Sequence, residues 1–343
     1  MQGHRLTRRH LTGAAVGIML AFTAAPAMAQ TKIKFTLDWV FQGPTSPFLV
    51  ADQKGYYKAE GLEVTLDSGQ GSAGALQRVA TGAYDMGFAD INSLVEFNVK
   101  NPTQAVKAVM MAYDFPPFGV YALKKSGIAK PTDINGKKLG APAFDASFRL
   151  FPAFAKATGI DLASVQLVNM EPRLREQSLI QGSVDVIAGH YFSSFLDLKA
   201  RGVAGDDIVV MRYADAGMDF YGNAVIASPA MLQKPDAVKG FVKATIKAWQ
   251  EVAKSPQVGV DAAKKRDGLI DEKVEMERLL ISLDTNVITP YVKANGMGNV
   301  DTARLERSLV ALTDAFALPS TPKAADIFTP DFLPPQADRM ISK

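Results

Sequence analysis

Three histidines and no cysteine bound the chemistry open to this chain. His4 and His10 fall in a leader described below, so His190 is the one imidazole expected in the mature chain. One histidine cannot build a multi-histidine metal site, and without thiols there is no thiolate nucleophile, iron–sulfur cluster or zinc finger. A Ser-His-Asp arrangement needs a seat for its serine, yet no G-x-S-x-G turn is present. No catalytic residue, metal ligand or cofactor is therefore assigned, and the remaining candidates suit recognition.

Among these, Gly69-Gln-Gly71-Ser72-Ala73-Gly74 reads in three ways. As G-x-G-x-x-G between a strand and a helix, with Asp90 ending the next strand, it has the spacing of a dinucleotide fingerprint. As a small-residue turn it would aim backbone N–H groups of Gly71, Ser72 and Ala73 into a cleft, favouring an oxygen-bearing group, with Ser72 as helix cap. As a plain tight turn it needs glycine only for its dihedral angles.

Trp39 offers a flat face and one N–H donor beside the Asp38 carboxylate, a combination that would hold a flat heterocycle with an amino group; core packing is the plain alternative. In Phe144-Asp145-Ala146-Ser147, before a predicted helix, one of Asp145 and Ser147 is expected to cap the helix and the other to meet a ligand. Arg149, Arg173 and Arg175 nearby read as solvated helix-surface cations. Tyr191, Phe192, Phe115 and Tyr221 add aromatic surface near strand ends, whereas Trp249 sits mid-helix and reads as core. Asp90, Asp114, Asp215 and Asp219 fall in loops or strand ends that hold no matching cluster of Lys or Arg. That balance favours a neutral or cationic nitrogen heterocycle over a sulfonate. His190, at a strand end, is expected to touch the ligand.

The elements that must position these residues alternate. Strands are predicted at Ile33 to Leu37, Leu62 to Leu66, Tyr84 to Phe88, Val106 to Ala112 and Gly119 to Leu123, with helices near Phe48 to Ala59 and Ala73 to Thr81. A second set follows: strands Lys138 to Ala141, Val165 to Val168 and Val184 to Ala188, with helices near Phe148 to Thr158 and Leu174 to Gln181. Beyond the strand Tyr221 to Ala227 the pattern is helical, through Ala237 to Ala253, Glu272 to Leu283 and Asp301 to Ala315. Residues 79–90 align without gaps to 179–190, matching Gly82 to Gly182 and Asp85 to Asp185. That repeat puts Asp90 and His190 at equivalent carboxyl ends of strands, the edge where open α/β sheets bind ligands.

The N-terminus reads as a cleaved secretory leader over residues 1–29: Arg5, Arg8 and Arg9, an apolar run from Leu11 to Phe22, then Ala27-Met28-Ala29. Arg8-Arg9 leaves Sec and twin-arginine export both open. The chain carries 38 Lys and Arg against 35 Asp and Glu, and the three leader arginines account for the difference. A neutral mature chain has no electrostatic footprint for nucleic acid. With no cysteine to staple it, its stability must come from a large core, and its length favours two domains.

From Lys34 the chain resembles the substrate-binding family of ABC importers that includes receptors for aliphatic sulfonates, taurine and thiamine precursors. The resemblance is carried by 35–39 (FTLDW), 47–64 (PFLVADQKGYYKAEGLEV), 76–87 (LQRVATGAYDMG) and 131–140 (PTDINGKKLG). It implies a type II periplasmic binding protein fold: α/β, two lobes, each a mixed sheet flanked by helices, joined by two crossover hinge strands near Phe118 and Tyr221. One lobe is expected from 31–115 and 222–343, the other from 116–221. The implied function is periplasmic capture of a small organic molecule by a monomer that catalyses nothing, with a membrane permease and its ATPase as partners. A pyrimidine or thiamine-precursor-like heterocycle is the ligand expected, a sulfonate, taurine or other organic anion the alternative, and an exported NAD(P)-dependent oxidoreductase the most distant reading. The family also contains an intracellular pyrimidine synthase using iron, a cysteine-rich motif and an active-site histidine. A chain without cysteine departs from that branch.

Overall fold

A computed structural model describes residues 1–3 and 30–343. The expected leader, at 4–29, lies outside the described residues. Ten strands form two sheets. The first contains β1 (Thr31–Thr36), β2 (Leu62–Asp67), β3 (Met86–Asp90), β4 (Lys107–Met111) and β10 (Asn223–Ala227), in the order β2-β1-β3-β10-β4. The second contains β5 (Phe118–Leu123), β6 (Lys138–Ala141), β7 (Gln166–Asn169), β8 (Val186–His190) and β9 (Ile208–Arg212), in the order β7-β6-β8-β5-β9. Both sheets are mixed, because β10 and β5 run antiparallel to their neighbours while the other pairings are parallel. Strands β3, β5 and β10 are buried along their whole length, which is why they read as unbroken apolar runs rather than alternating ones.

The two halves repeat each other beyond sheet order. Asp85 Oδ2 accepts from the Lys34 amide at 2.8 Å while the Asp85 amide donates to the Lys34 carbonyl, and Asp185 makes the same pair of bonds with Lys138. Gly82 and Gly182 turn the chain before them with φ of 77° and 74°. The sequence repeat is thus a repeat of structure.

Helices on the first sheet build a core around Phe35, Phe48, Phe88 and Phe241, with Trp249 fully buried. Four elements depart from expectation. The helix predicted over 48–59 is two, Ser46–Gln53 and Tyr56–Ala59, parted by Gly55 at φ 71°. Helices Ile91–Lys100 and Pro256–Arg266, together with β9, were not anticipated. Among the described residues no helix is long and apolar enough to cross a membrane.

The chain passes between the sheets at 112–117 and returns at 213–222. The passages lie side by side: Gly222 donates to the Tyr113 carbonyl at 2.9 Å, and the Ala112 and Tyr113 amides both donate to the Asn223 carbonyl. Arg304, on the helix Thr302–Ala315, grips both. Its Nη1 donates to Asp114 Oδ1 at 2.8 Å, its Nη2 to the carbonyls of Asp114 and Phe220, and its guanidinium lies between the rings of Phe115 and Tyr221. Two expected ligand contacts are corrected here. Asp219 pairs with Arg304 Nε at 2.9 Å, and Tyr221 is buried with its hydroxyl accepting from the Asp301 amide, so both belong to the crossing.

Candidate functional site

The carboxyl ends of the parallel strands of both sheets face each other across a narrow cleft whose water-accessible space is about 20 Å³. Its first wall begins where β1 ends. Gly69 and Gly71 donate their amides to the carbonyls of Trp39 and Asp38, at 3.0 and 2.5 Å, and so fix the Asp38-Trp39 segment. Only glycine serves there: a Cβ on Gly69 would stand 2.2 Å from the Leu37 carbonyl oxygen, and one on Gly71, at φ 139°, would stand 2.2 Å from that of Phe144. The Ala73 amide donates to Phe144 across the lobes. The Gly69, Gly71 and Ala73 amides are spent on protein carbonyls, which withdraws them from an anion or pyrophosphate. Gly71 caps the helix Ser72–Ala80, and Ser72, expected to cap it, is its first residue.

Asp38 is the chemical centre of this wall. It is buried, and its Oδ2 accepts from Asn223 Nδ2 at 2.6 Å and from Ser72 Oγ at 3.1 Å. Among the described residues no other side chain donates to the carboxylate and no cation pairs with it. Burial pushes its carboxyl up to about 6. Asn223 Oδ1, also buried in the lining, has no partner among the described residues.

The second lobe supplies Asp145, Arg175, His190, Phe192 and Ser193. Asp145 caps the helix Ala146–Arg149, with Oδ1 accepting from the Ser147 amide at 2.8 Å, and its Oδ2 accepts from Arg175 Nη1 at 3.2 Å. Arg175 is not the solvated cation expected from sequence. It is buried, donates through Nε to Glu176 at 2.8 Å, and sets its guanidinium 5.4 Å from the centre of the Trp39 ring. His190 lies between the rings of Phe118 and Phe192, with no hydrogen bond among the described residues, and burial pushes it down to about 4. It is neutral near pH 7 and offers one donor and one acceptor. Phe88 and Tyr113 close the aromatic side, while Gln42, Pro44 and Thr45 form the lip, where Ser193 Oγ donates to Gln42 Oε1 at 3.0 Å.

Of the residues singled out in the sequence, the cleft brings together Asp38, Trp39, Gly71, Ser72, Asp145, His190 and Phe192, with Arg175 in an unexpected role. The others lie elsewhere. Asp90 is fully buried with Oδ2 capping the helix Ile91–Lys100 through the Ser93 amide and hydroxyl, and with Oδ1 accepting from Asn92; burial pushes it up to about 7. Ser147 turns its hydroxyl to Asp145, Tyr191 stacks on Phe195 beside the crossing, and Ala73 sits at the outer rim. Asp90→Ala should therefore cost about 1–2 kcal/mol of stability in chemical unfolding while ligand affinity stays the same. An affinity loss without a stability loss would return Asp90 to the cleft. Residues that the sequence reading missed are Arg175, Asn223, Ser193, Tyr113 and the lip; Asn223 lies within one predicted strand and Tyr113 directly after another, the signal that could have found them.

Fold and site together define a two-lobed binding protein with an aromatic, hydrogen-bonding cleft between its lobes. The chain belongs to the family described as NMT1/THI5 like, which matches residues 43–258. It is 27% identical over 246 residues to a riboflavin-binding protein of Chloroflexus aurantiacus, covering 70% of this chain and 68% of that one. It is 24% identical over 271 residues to a formylaminopyrimidine-binding protein of Halalkalibacterium halodurans, covering 76% and 80%. Other relatives carry the name of a pyrimidine phosphate synthase. The alkanesulfonate-binding protein of Xanthomonas axonopodis pv. citri, solved with MOPS bound, shares the fold at TM-score 0.69 and 14% identity, over 88% of this chain and 98% of that one.

Proposed function

We propose that this chain is the periplasmic solute-binding component of an ABC importer, that it binds without catalysis, and that its ligand is a flat nitrogen heterocycle bearing N–H donors. The observation that carries the reading is the buried acceptor Asn223 Oδ1, left without a donor among the described residues, in a cleft it shares with the Asp38 carboxylate and the Trp39 ring. A buried acceptor is costly until something donates to it. The charge balance points the same way. Asp145 and Glu176 flank the single guanidinium of Arg175 and Asp38 adds a third buried carboxylate, so a sulfonate would enter a field of its own sign. The relatives named for riboflavin and formylaminopyrimidine support a heterocycle.

The walls stand close enough for a water-sized occupant rather than a ring, so capture requires the lobes to part and close again. The closed form with ligand would dock on a permease served by an ATPase. The test is a thermal-shift screen of pyrimidines, thiamine-related compounds, flavins, alkanesulfonates and taurine. A ligand at 100 times its Kd should add about 2.7 kcal/mol of stability. Stabilisation by amino-bearing heterocycles is expected, and stabilisation by sulfonates alone would overturn the ligand class.

A further inference from the structure

We propose that Arg278 is a latch that holds the two lobes closed and positions the ligand-facing turn of the second lobe. The inference rests on the reading of the cleft as the ligand site, but its geometry lies outside that cleft. Arg278 sits on the first-lobe helix Glu272–Ser282 and is buried to 2% exposure. Its Nη1 donates to the Phe192 carbonyl at 2.9 Å and its Nη2 to Asp197 Oδ1 at 2.9 Å, both in the second lobe. Its Nε donates to Glu275 Oε1 at 3.2 Å, and Glu275 Oε2 accepts from the Gly43 amide at 2.6 Å. One ion pair thus ties the lip at Gln42 to Thr45 to the turn holding Phe192 and Ser193, the two segments that already meet through Ser193 and Gln42.

The second-lobe partner is an unusual piece of backbone. Tyr191–Phe195 forms a single π-helical turn directly after His190, and such turns are rare and concentrate at functional sites. The Phe192 carbonyl taken by Arg278 belongs to this turn, so the guanidinium fixes where the Phe192 ring and Ser193 hydroxyl stand. Opening the lobes would break both bonds from Arg278 to the second lobe and return its charge to water. The two states therefore differ in two charge-assisted hydrogen bonds, enough to bias an equilibrium without sustaining the fold. The neighbouring Lys199–Glu277 pair, at 3.0 Å, is solvent-exposed and should contribute little. Arg278 and Glu275 lie beyond residues 43–258, the stretch matched to the family, and neither lines the cleft.

The absence of native cysteine allows a ligand-free test. Spin labels on Lys58→Cys in the first lobe and Lys124→Cys in the second, both exposed positions, would report the interlobe distance by pulsed electron paramagnetic resonance. The unmodified latch should give a narrow short-distance population. Arg278→Met and Asp197→Asn should both move that population to longer, broader distances, Arg278→Lys should restore part of it, and Glu277→Gln should leave it in place. Asp197 is partly exposed and its carboxylate is removed without touching the first-lobe pair, so it keeps the test open if Arg278→Met fails to fold. Unchanged distances in the folded variants, or a parent already as broad as they are, would overturn the latch. No ligand enters the measurement, so its outcome is independent of whether a heterocycle binds.

Discussion

Arg175→Met should lower folding stability by about 3–5 kcal/mol, the cost of removing one partner from a buried ion pair. Methionine keeps the apolar stem, so the loss isolates the guanidinium. What remains is two buried carboxylates, Asp145 and Glu176, with no cation between them. The Ala188 carbonyl, 3.4 Å from Nη1, loses a donor, and the Trp39 ring loses the cation over its face. Urea unfolding at pH 7 would measure the loss. A loss under about 1 kcal/mol at pH 7 would mean that water reaches these carboxylates, contrary to their burial.

Asp38→Asn should abolish most ligand affinity, by about 2–5 kcal/mol, with no loss of stability. The asparagine carbonyl can still accept from Asn223 Nδ2 and Ser72 Oγ, which keeps the wall intact. Its amide then faces the cleft where the carboxylate oxygen stood, turning an acceptor into a donor against a donating ligand. Because burial raises the Asp38 carboxyl to about 6, the native chain holds that proton more tightly than the unfolded chain does. The group therefore costs stability in full above pH 6, the cost fades as pH falls from there and is gone below the ordinary carboxyl value of 3.8, and the asparagine variant should unfold at an equal or higher midpoint at pH 7. Affinity of the parent chain should fall as pH drops through 6, since a protonated Asp38 no longer offers two acceptors. Calorimetric titration between pH 5 and 8 would check this, and a flat profile would remove Asp38 as the accepting group.

The reason some of this was legible in the sequence is local. Strands β3, β5, β6 and β8 announce themselves as apolar runs beside glycine turns, and the 79–90 and 179–190 match anticipated the equivalent halves. Asp38, Trp39 and His190 follow strand ends, where chain direction alone aims a side chain at the cleft. The same rule misplaced Asp90, because the chain turns there directly into a helix whose Asn92 and Ser93 claim the carboxylate. The string Asp90-Ile-Asn-Ser followed by apolar residues at helical spacing was a readable cap. Arg175 and Asp219 were not readable. Their partners are Asp145, 30 positions away, and Arg304, 85 positions away, and only the packed fold decides which charge is buried.

The strand order also fixes when each lobe can be finished. In the second sheet all five strands come from the continuous stretch 118–212, so that lobe closes its ladder as soon as β9 emerges. The first sheet cannot: among the described strands β4 pairs with β10 alone, whose residues follow more than a hundred positions later, after the entire inserted lobe. Until Asn223–Ala227 arrives, β3 and β4 each expose an open edge. Pairings of such long sequence separation form slowly, and unfilled edges are where chains aggregate or recruit chaperones. The first lobe is thus kept incomplete by its own connectivity, and β10 acts as the closing piece.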